Sequence, residues 1–439
     1  MKDREFDVIV AGGGPAGVAA AVAAAQNGAD TLLVERYGSL GGTPVNSLIP
    51  VFCPFSDHRK PIIKGIGLEV LKKMQEQSWV NPEPEKNNGI TELDWVPIDP
   101  EILKRVLDDM VTASGAKLWL HTYVVGVQQK ERQIRTLQTC GKGGIQNISA
   151  KVFIDCTGDA DLAAMAGADF DYGSENGQVQ GMTLCFRLGG VDGRRFLRYK
   201  REAKEDGNLR VAVARARAQG DFIKGEAQVS TFVLQNWDMA GVNFGHVFGK
   251  NPLDTEQLTK AELESRRKLP ELVHFFQTYV PGMENCYVAA SGPAIGVRET
   301  RRIRGEYQLV KEDYLERRQF PDAIARYAYP IDVHAEAALA EPIDPSQTEF
   351  VSAAYREGEF YTIPYRALLP AALQNMIVAG RSLSSDRAAN GSARVAPACF
   401  AMGQAAGTAA ALAVELGVGP KMIPVSTLQS RLKEQGVYL

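Results

Sequence analysis

Neither sign of charge is in excess, cysteines are few and scattered, and histidine is rarer still. The formal net charge is -3 over 439 residues, without the dense basic field that neutralises nucleic-acid phosphates. That argues against nucleic acid as the main partner and leaves room for a small anion held by local arginines. The six cysteines, at 53, 140, 156, 185, 286 and 399, form no CxxC pair and no cluster at zinc-ligand spacing, so no metal site is expected. Reduced, buried thiols in a cytoplasmic protein are the simplest account. A signal-peptide core and a membrane span are also missing. The apolar run 18–25 follows Asp3, Glu5 and Asp7 and a glycine cluster, unlike a secretory leader. The 396–416 stretch is alanine- and glycine-rich with Gln404 inside, which suits a buried core helix better than a bilayer. A soluble protein with no membrane partner is expected, and a homo-oligomer is the base-rate expectation.

What is present is ordinary for a folded enzyme-sized chain: 45% hydrophobic and 23% charged residues, enough for two domains or one large domain with an insertion. Residues 6–11 (FDVIVA) read as a strand buried on both faces. A glycine turn follows, then an alanine-rich helix to about Asn27 and a second strand at 31–35. Helices are expected over 65–77 and 100–114, and strands over 117–129, 134–139 and 146–155. The Pro-, Asn- and Glu-rich segment 81–97 reads as a mobile surface loop able to act as a lid. From 167 to 369 the composition changes, with polar helices over 194–219 and 258–279. A strand at 375–379 and a small-residue helix from 397 to 416 close the chain. The expected fold is α/β: a Rossmann-like dinucleotide-binding domain from 1–166 and 370–439, with an α+β substrate domain inserted at 167–369.

The glycine turn carries the first chemistry. Gly12, Gly14 and Gly17 fit GxGxxG, with Pro15 and Ala16 opening the helix. The first glycine allows a tight turn, the second lets backbone approach a pyrophosphate, and the third lets helix and sheet pack closely. Glu35 lies eighteen residues beyond Gly17 at the end of the second strand, placed to accept the hydroxyls of an adenosine ribose. Strand, turn, helix and acid in register point to a dinucleotide, and they leave NAD and FAD equally open.

Three further segments bear on that choice by resemblance. Glu35 is followed by Arg36 and then Gly41-Gly42-Thr43. Phe153-Ile-Asp-Cys-Thr-Gly-Asp resembles the strand end that returns to the dinucleotide in glutathione-reductase-like flavoproteins. Val378-Ala-Gly-Arg-Ser, with Arg394-Val-Ala-Pro-Ala-Cys and Gly403-Gln-Ala-Ala-Gly, resembles their C-terminal flavin segment. With 296–303, 329–334 and 363–366, the chain resembles the bacterial FAD-dependent oxidoreductases, two-dinucleotide-binding flavoproteins of the glutathione reductase type related to the fumarate reductase and succinate dehydrogenase flavoproteins. The resemblance implies FAD as cofactor, with Arg36, Gly42, Thr43, Gly158, Asp159, Gly380, Arg381, Arg394 and Ala398 beside it. Fumarate-reductase-type relatives carry a histidine after the glycine pair for a covalent flavin bond. Residues 41–47 contain none, so non-covalent FAD is expected.

For catalysis, Asp332 and His334 close the run Tyr329-Pro-Ile-Asp-Val-His. An extended chain puts both on one face, where the carboxylate can orient the imidazole; a plain structural pair is the bland alternative. Arg298 and Arg301, within the run 298–304, are candidates to hold substrate oxygens or a reduced flavin, against the bland reading of a solvated charged face. The leading expectation is transfer of a hydride from the CH–OH group of a sugar, polyol or hydroxy acid to flavin N5, with the electron acceptor undetermined. An NAD(P)H-dependent reductase or monooxygenase, and a non-redox isomerase or eliminase, stay open. A second GxGxxG unit between 167 and 369 is absent, which weakens the reductase reading.

Overall fold

The computed structural model describes residues 4–77, 93–223, 226, 228–337 and 355–439. Most of the proposed lid, 81–92, lies outside the described residues.

Strand β1 (Arg4–Ala11) leads through the glycine turn into helix α1 (Pro15–Gln26) and strand β2 (Thr31–Val34). Helix α2 (Pro100–Ala113) precedes strand β3 (Lys117–Trp119). A meander follows: β4 (Tyr123–Lys130), β5 (Gln133–Gly141) and the long β6 (Gly144–Asp155). Near the chain end a strand at Met376–Val378 joins the same sheet, and a long helix spans Ala396–Leu416. The last three residues of β6 lie between β1 and the 376–378 strand. β3, β2, β1, β6 and the 376–378 strand are all parallel, while β4, β5 and the first half of β6 pair antiparallel. This is the mixed α/β, Rossmann-like arrangement expected.

Alternation along β1 explains why the strand is apolar from Val8 to Ala11. Val8 and Val10 face a core shared with α1 and the 396–416 helix. Ile9 and Ala11 face the opposite core, with Ile134, Leu137 and Ile148 of the meander. Successive side chains point to opposite faces of a strand, so a strand covered on both sides has no polar position to offer.

The expected strand 117–129 divides in two. Its first part extends the parallel edge beside β2, and its second starts the meander. His121, at a φ of 52°, makes the bend between them. The expected helix 194–219 also divides, into Gly193–Ala203 and Arg210–Ala218. Asp206-Gly207-Asn208 is turn-forming sequence. The Glu205 carboxylate then accepts the Val211 and Ala212 N–H groups at 2.9 Å each, capping the second helix.

Within 167–369, strands Phe186–Gly189, Thr231–Leu234, Met239–Asn243 and Tyr287–Ser291 form an antiparallel sheet under the helix Thr255–Tyr279. They close a second core around Phe186, Phe232, Phe244 and Phe276. Leu309, Tyr314, Tyr327, Tyr361 and Leu368 pack instead into the core of the first unit.

The Ala396–Leu416 helix is long and apolar enough to cross a membrane, but 83% of its apolar window is buried in the protein. It packs on α1 through small residues. A Cβ on Gly403 would stand 2.1 Å from the Ala16 carbonyl oxygen, and one on Gly407 would stand 2.1 Å from that of Ala20. These two glycines therefore serve helix-to-helix contact rather than touching a cofactor.

Candidate active site

The glycine turn is shaped by steric necessity. Gly12 has a φ of +97°, and a Cβ there would lie 2.5 Å from the Cys156 carbonyl oxygen on β6. A Cβ on Gly17 would lie 1.7 Å from the Gly12 oxygen; Gly17 is a packing residue and does not line the cleft. Gly14 caps α1 with no side-chain hydrogen bond, and Pro15 follows at the first helical position. The unpaired N–H groups of the first turn are left for a ligand. Glu35 turns its carboxylate back onto the loop, accepting Gly13 N–H at 2.5 Å and Tyr37 N–H at 2.8 Å. Burial pushes this carboxyl up, and the two N–H groups oppose the shift. It thus shapes the glycine loop from within, in addition to any role toward a ribose.

Removing that clamp should be visible in cofactor affinity. Glu35→Ala is expected to weaken FAD binding about 10- to 100-fold, the scale of charge-assisted hydrogen bonds. Fluorescence titration of the deflavinated protein with FAD measures it, and unchanged affinity would contradict the role.

A cleft of about 210 Å³ runs along this turn. Gly12, Gly14, Pro15, Ala16, Glu35 and Arg36 line one side, Gly42 and Thr43 the next, and Gly158, Asp159, Gly380 and Arg381 the far wall. Arg36 lies over the Tyr37 ring at 4.9 Å. Arg381 donates to Asp159 Oδ1 at 2.5 Å and to the Val297 carbonyl at 2.7 Å. Burial pushes the Asp159 carboxyl up, but Arg381 and Thr300 outweigh it and hold it below its ordinary value. Ala398 is fully buried and does not line the cleft, unlike its helix neighbours Ala396 and Cys399. Burial drives the Cys399 thiol up to about 12, so its place at a helix start does not make it reactive.

A larger cavity of about 470 Å³ adjoins the cleft, and Thr43, Val297, Arg381, Arg394 and Ala396 line both. His334 and Asp332 stand in it, with His334 Nε2 3.3 Å from Asp332 Oδ1. The His334 main-chain N–H donates to Gln180 Oε1 at 2.8 Å. Arg394 donates to the Asp332 carbonyl at 2.9 Å and approaches its carboxylate at 3.6 Å. Burial first, and then the Arg298 charge, lower the His334 imidazole to about 4. Burial raises the Asp332 carboxyl, yet His334, Arg394 and Arg298 together hold it far below the usual range. At neutral pH the pair is therefore a neutral imidazole beside a carboxylate.

The arginine run is divided by the fold. Arg298 lines the larger cavity and donates to Thr183 Oγ1 at 2.8 Å and Asn243 Oδ1 at 3.2 Å. Burial and the neighbouring Arg394 lower it to about 10. Arg301 lines neither cavity; it donates to the Asp159 carbonyl and Asp161, both at 2.9 Å. Arg302 is buried against Glu299, and Arg304 pairs with Asp171 at the surface. Arg298 alone among these four faces the space beside His334.

Sequence reasoning passed over a second imidazole. His246 lines the same cavity, its ring centroid 5.4 Å from that of His334, with Nδ1 2.9 Å from Glu226 Oε2. Twenty residues and no motif separate those two partners, so only the tertiary structure reveals them. Asn46, which lines the cleft with a buried Nδ2 lacking a hydrogen-bond partner among the described residues, is likewise without a signal in the sequence.

A family model described as FAD dependent oxidoreductase matches residues 7–432. The digeranylgeranylglycerophospholipid reductase of Methanosarcina acetivorans is 27% identical over 186 residues, 38% of this chain and 42% of that protein. Dihydrolipoyl dehydrogenase of Trypanosoma brucei brucei is 56% identical over 41 residues, 9% of each chain. The alignment with the first of these spans about two-fifths of the relative's length. Among solved structures, a geranylgeranyl bacteriochlorophyll reductase-like protein from Thermoplasma acidophilum superposes with a TM-score of 0.49 at 13% identity, covering 98% of this chain and 84% of that one. A myxobacterial chondrochloren halogenase gives 0.48 at 13% identity, covering 98% and 78%.

Proposed function

Because the chain belongs to the FAD dependent oxidoreductase family, we propose that it oxidises the CH–OH group of a small polar substrate, a sugar, polyol or hydroxy acid, in the cavity that holds His334. The chain is an enzyme and FAD is its cofactor. The cleft suits a dinucleotide: uncapped helical N–H groups after Gly14, four positive-φ glycines (Gly12, Gly42, Gly158 and Gly380) where a side chain would be strained or clash, and Arg36 and Arg381 as positive charges. Bound FAD supplies the two-electron acceptor. Residues 41–47 offer no histidine for a flavin bond, and in this reading FAD is held non-covalently. The parallel layer with its antiparallel meander supports the wider kinship to glutathione-reductase-like and fumarate-reductase flavoproteins.

The observation that carries the reading is the His334–Asp332 pair in a cavity sharing its wall with the cleft. Asp332 accepts the hydrogen bond of Nε2–H, which leaves Nδ1 of the neutral ring with the lone pair. That nitrogen accepts the hydroxyl proton as the carbon-bound hydrogen departs, and the carboxylate steadies the imidazolium that forms. Arg298 and Arg394 hold substrate oxygens beside it. The Methanosarcina acetivorans relative is by its name a digeranylgeranylglycerophospholipid reductase; a wall carrying Arg298, Arg394, Asp332 and Glu226 favours a polar substrate here.

Anaerobic titration tests this directly. Sugars, polyols and hydroxy acids are added to oxidised enzyme, with NADH and NADPH in parallel, while flavin absorbance is followed. Bleaching by a hydroxyl compound is expected. Bleaching by a nicotinamide alone would replace the reading with a reductase or monooxygenase.

The pH profile gives an independent check. A base with its imidazole lowered to about 4 stays unprotonated through neutral and mildly acid pH. The single-turnover rate of flavin reduction should hold from pH 7 down to about 5 and fall only as pH drops through the folded value, whereas an unshifted imidazole would lose activity near about 6.5.

A further inference from the structure

Deprotonating one hydroxyl requires one base, yet the cavity presents a second imidazole built to the same plan. Glu226 grips His246 twice: Oε2 lies 2.9 Å from Nδ1, and Oε1 accepts the residue's own main-chain N–H. Lys268 donates to the His246 carbonyl, and the Phe248 ring stacks on the imidazole at 5.7 Å and 18°. The ring is thereby locked in orientation and in tautomer. The carboxylate accepts the hydrogen bond of Nδ1–H, which leaves the lone pair on Nε2.

Among the described residues the hydrogen-bond partner of Nε2 is a weak one, Ser230 Oγ at 3.4 Å, and Ser230, Asn243 and His246 all line the cavity. Burial, ahead of the Glu226 hydrogen bond that opposes it, lowers His246 below its ordinary value, so this ring too is neutral. A ring spacing of 5.4 Å from His334 lets both imidazoles reach oxygens of one small molecule, each by a hydrogen bond of about 2.8 Å.

We propose that His246, fixed by Glu226, accepts a hydrogen bond from a second hydroxyl of the substrate, so that the enzyme selects polyhydroxy compounds carrying a diol over compounds with a single hydroxyl. The inference rests on the cavity being the substrate site. A buried acceptor left unmatched by a mono-hydroxy analogue forfeits its hydrogen bond, which sets a preference of about 10- to 100-fold.

The test uses oxidised holoenzyme and matched probes: glycerate against lactate, myo-inositol against cyclohexanol, and glycerol against 1-propanol. Binding is read from the flavin difference spectrum, which requires no turnover. At least one diol member is expected to bind about 10- to 100-fold more tightly than its partner in the wild type, with the ratio collapsing toward one in His246→Ala and His246→Gln. Equal affinity within every pair, no binding by any probe, or a ratio unchanged in the variants would overturn the proposal. If a variant fails to fold, the wild-type ratios remain decisive. Diol-selective, His246-dependent binding without bleaching would uphold the proposal while refuting the oxidation reading.

Discussion

The His334→Asn enzyme is expected to carry its full complement of FAD and to reduce it with substrate about 100- to 10,000-fold more slowly, the range spanned by general base catalysis. Asparagine is smaller than histidine and ends short of the Nε2 that stands 3.3 Å from Asp332, but it keeps a polar amide at the δ position and has no basic nitrogen. His334 lines the larger cavity and does not line the dinucleotide cleft, which is why flavin content should survive. Asp332→Asn should fall short of that loss, because the carboxylate orients and stabilises the imidazole without itself taking the substrate proton. Stopped-flow reduction under anaerobic conditions, with flavin content measured on the same samples, separates the two effects. Normal reduction in His334→Asn would remove the imidazole from the chemistry.

The second large effect is expected in the packing of two helices. Gly403→Ala places a methyl group 2.1 Å from the Ala16 carbonyl oxygen and 2.8 Å from the Ala16 Cα. Both are backbone atoms of α1, and neither can rotate away, so the helices must part. Overpacking of this kind costs about 3 kcal/mol or somewhat more. The damage should extend beyond stability. α1 presents the Gly14 end to the dinucleotide cleft, and the 396–416 helix presents Ala396 and Cys399 to it. Separating them should therefore loosen FAD as well as lower the melting temperature. Gly143→Ala is the matched control, since a Cβ there meets nothing within 4 Å. Equal melting temperatures for the two variants would show that the helices do not approach as closely as described.

The portion of this protein written along the chain is what depends on near neighbours in sequence. The strand–turn–helix at 4–26, the acid at the end of the next strand, and the small-residue helix near the C-terminus all follow from hydrophobic period and from glycine spacing. Asp332 and His334 are legible together because two residues of extended chain share a face. What lies beyond was decided by the tertiary structure. Arg298 and Arg301 look equivalent in a string of arginines, but one enters the larger cavity and the other turns to Asp161. Residues 117–129 read as one strand, yet the chain bends at His121 to serve the parallel and the antiparallel parts of the sheet. His246 met Glu226 on one side and His334 on the other, around one cavity, only when the chain folded. The reason is physical. Periodicity reports which face of an element shuns water, and it is silent on which distant element covers that face. The convergence of charged side chains is set by that second choice.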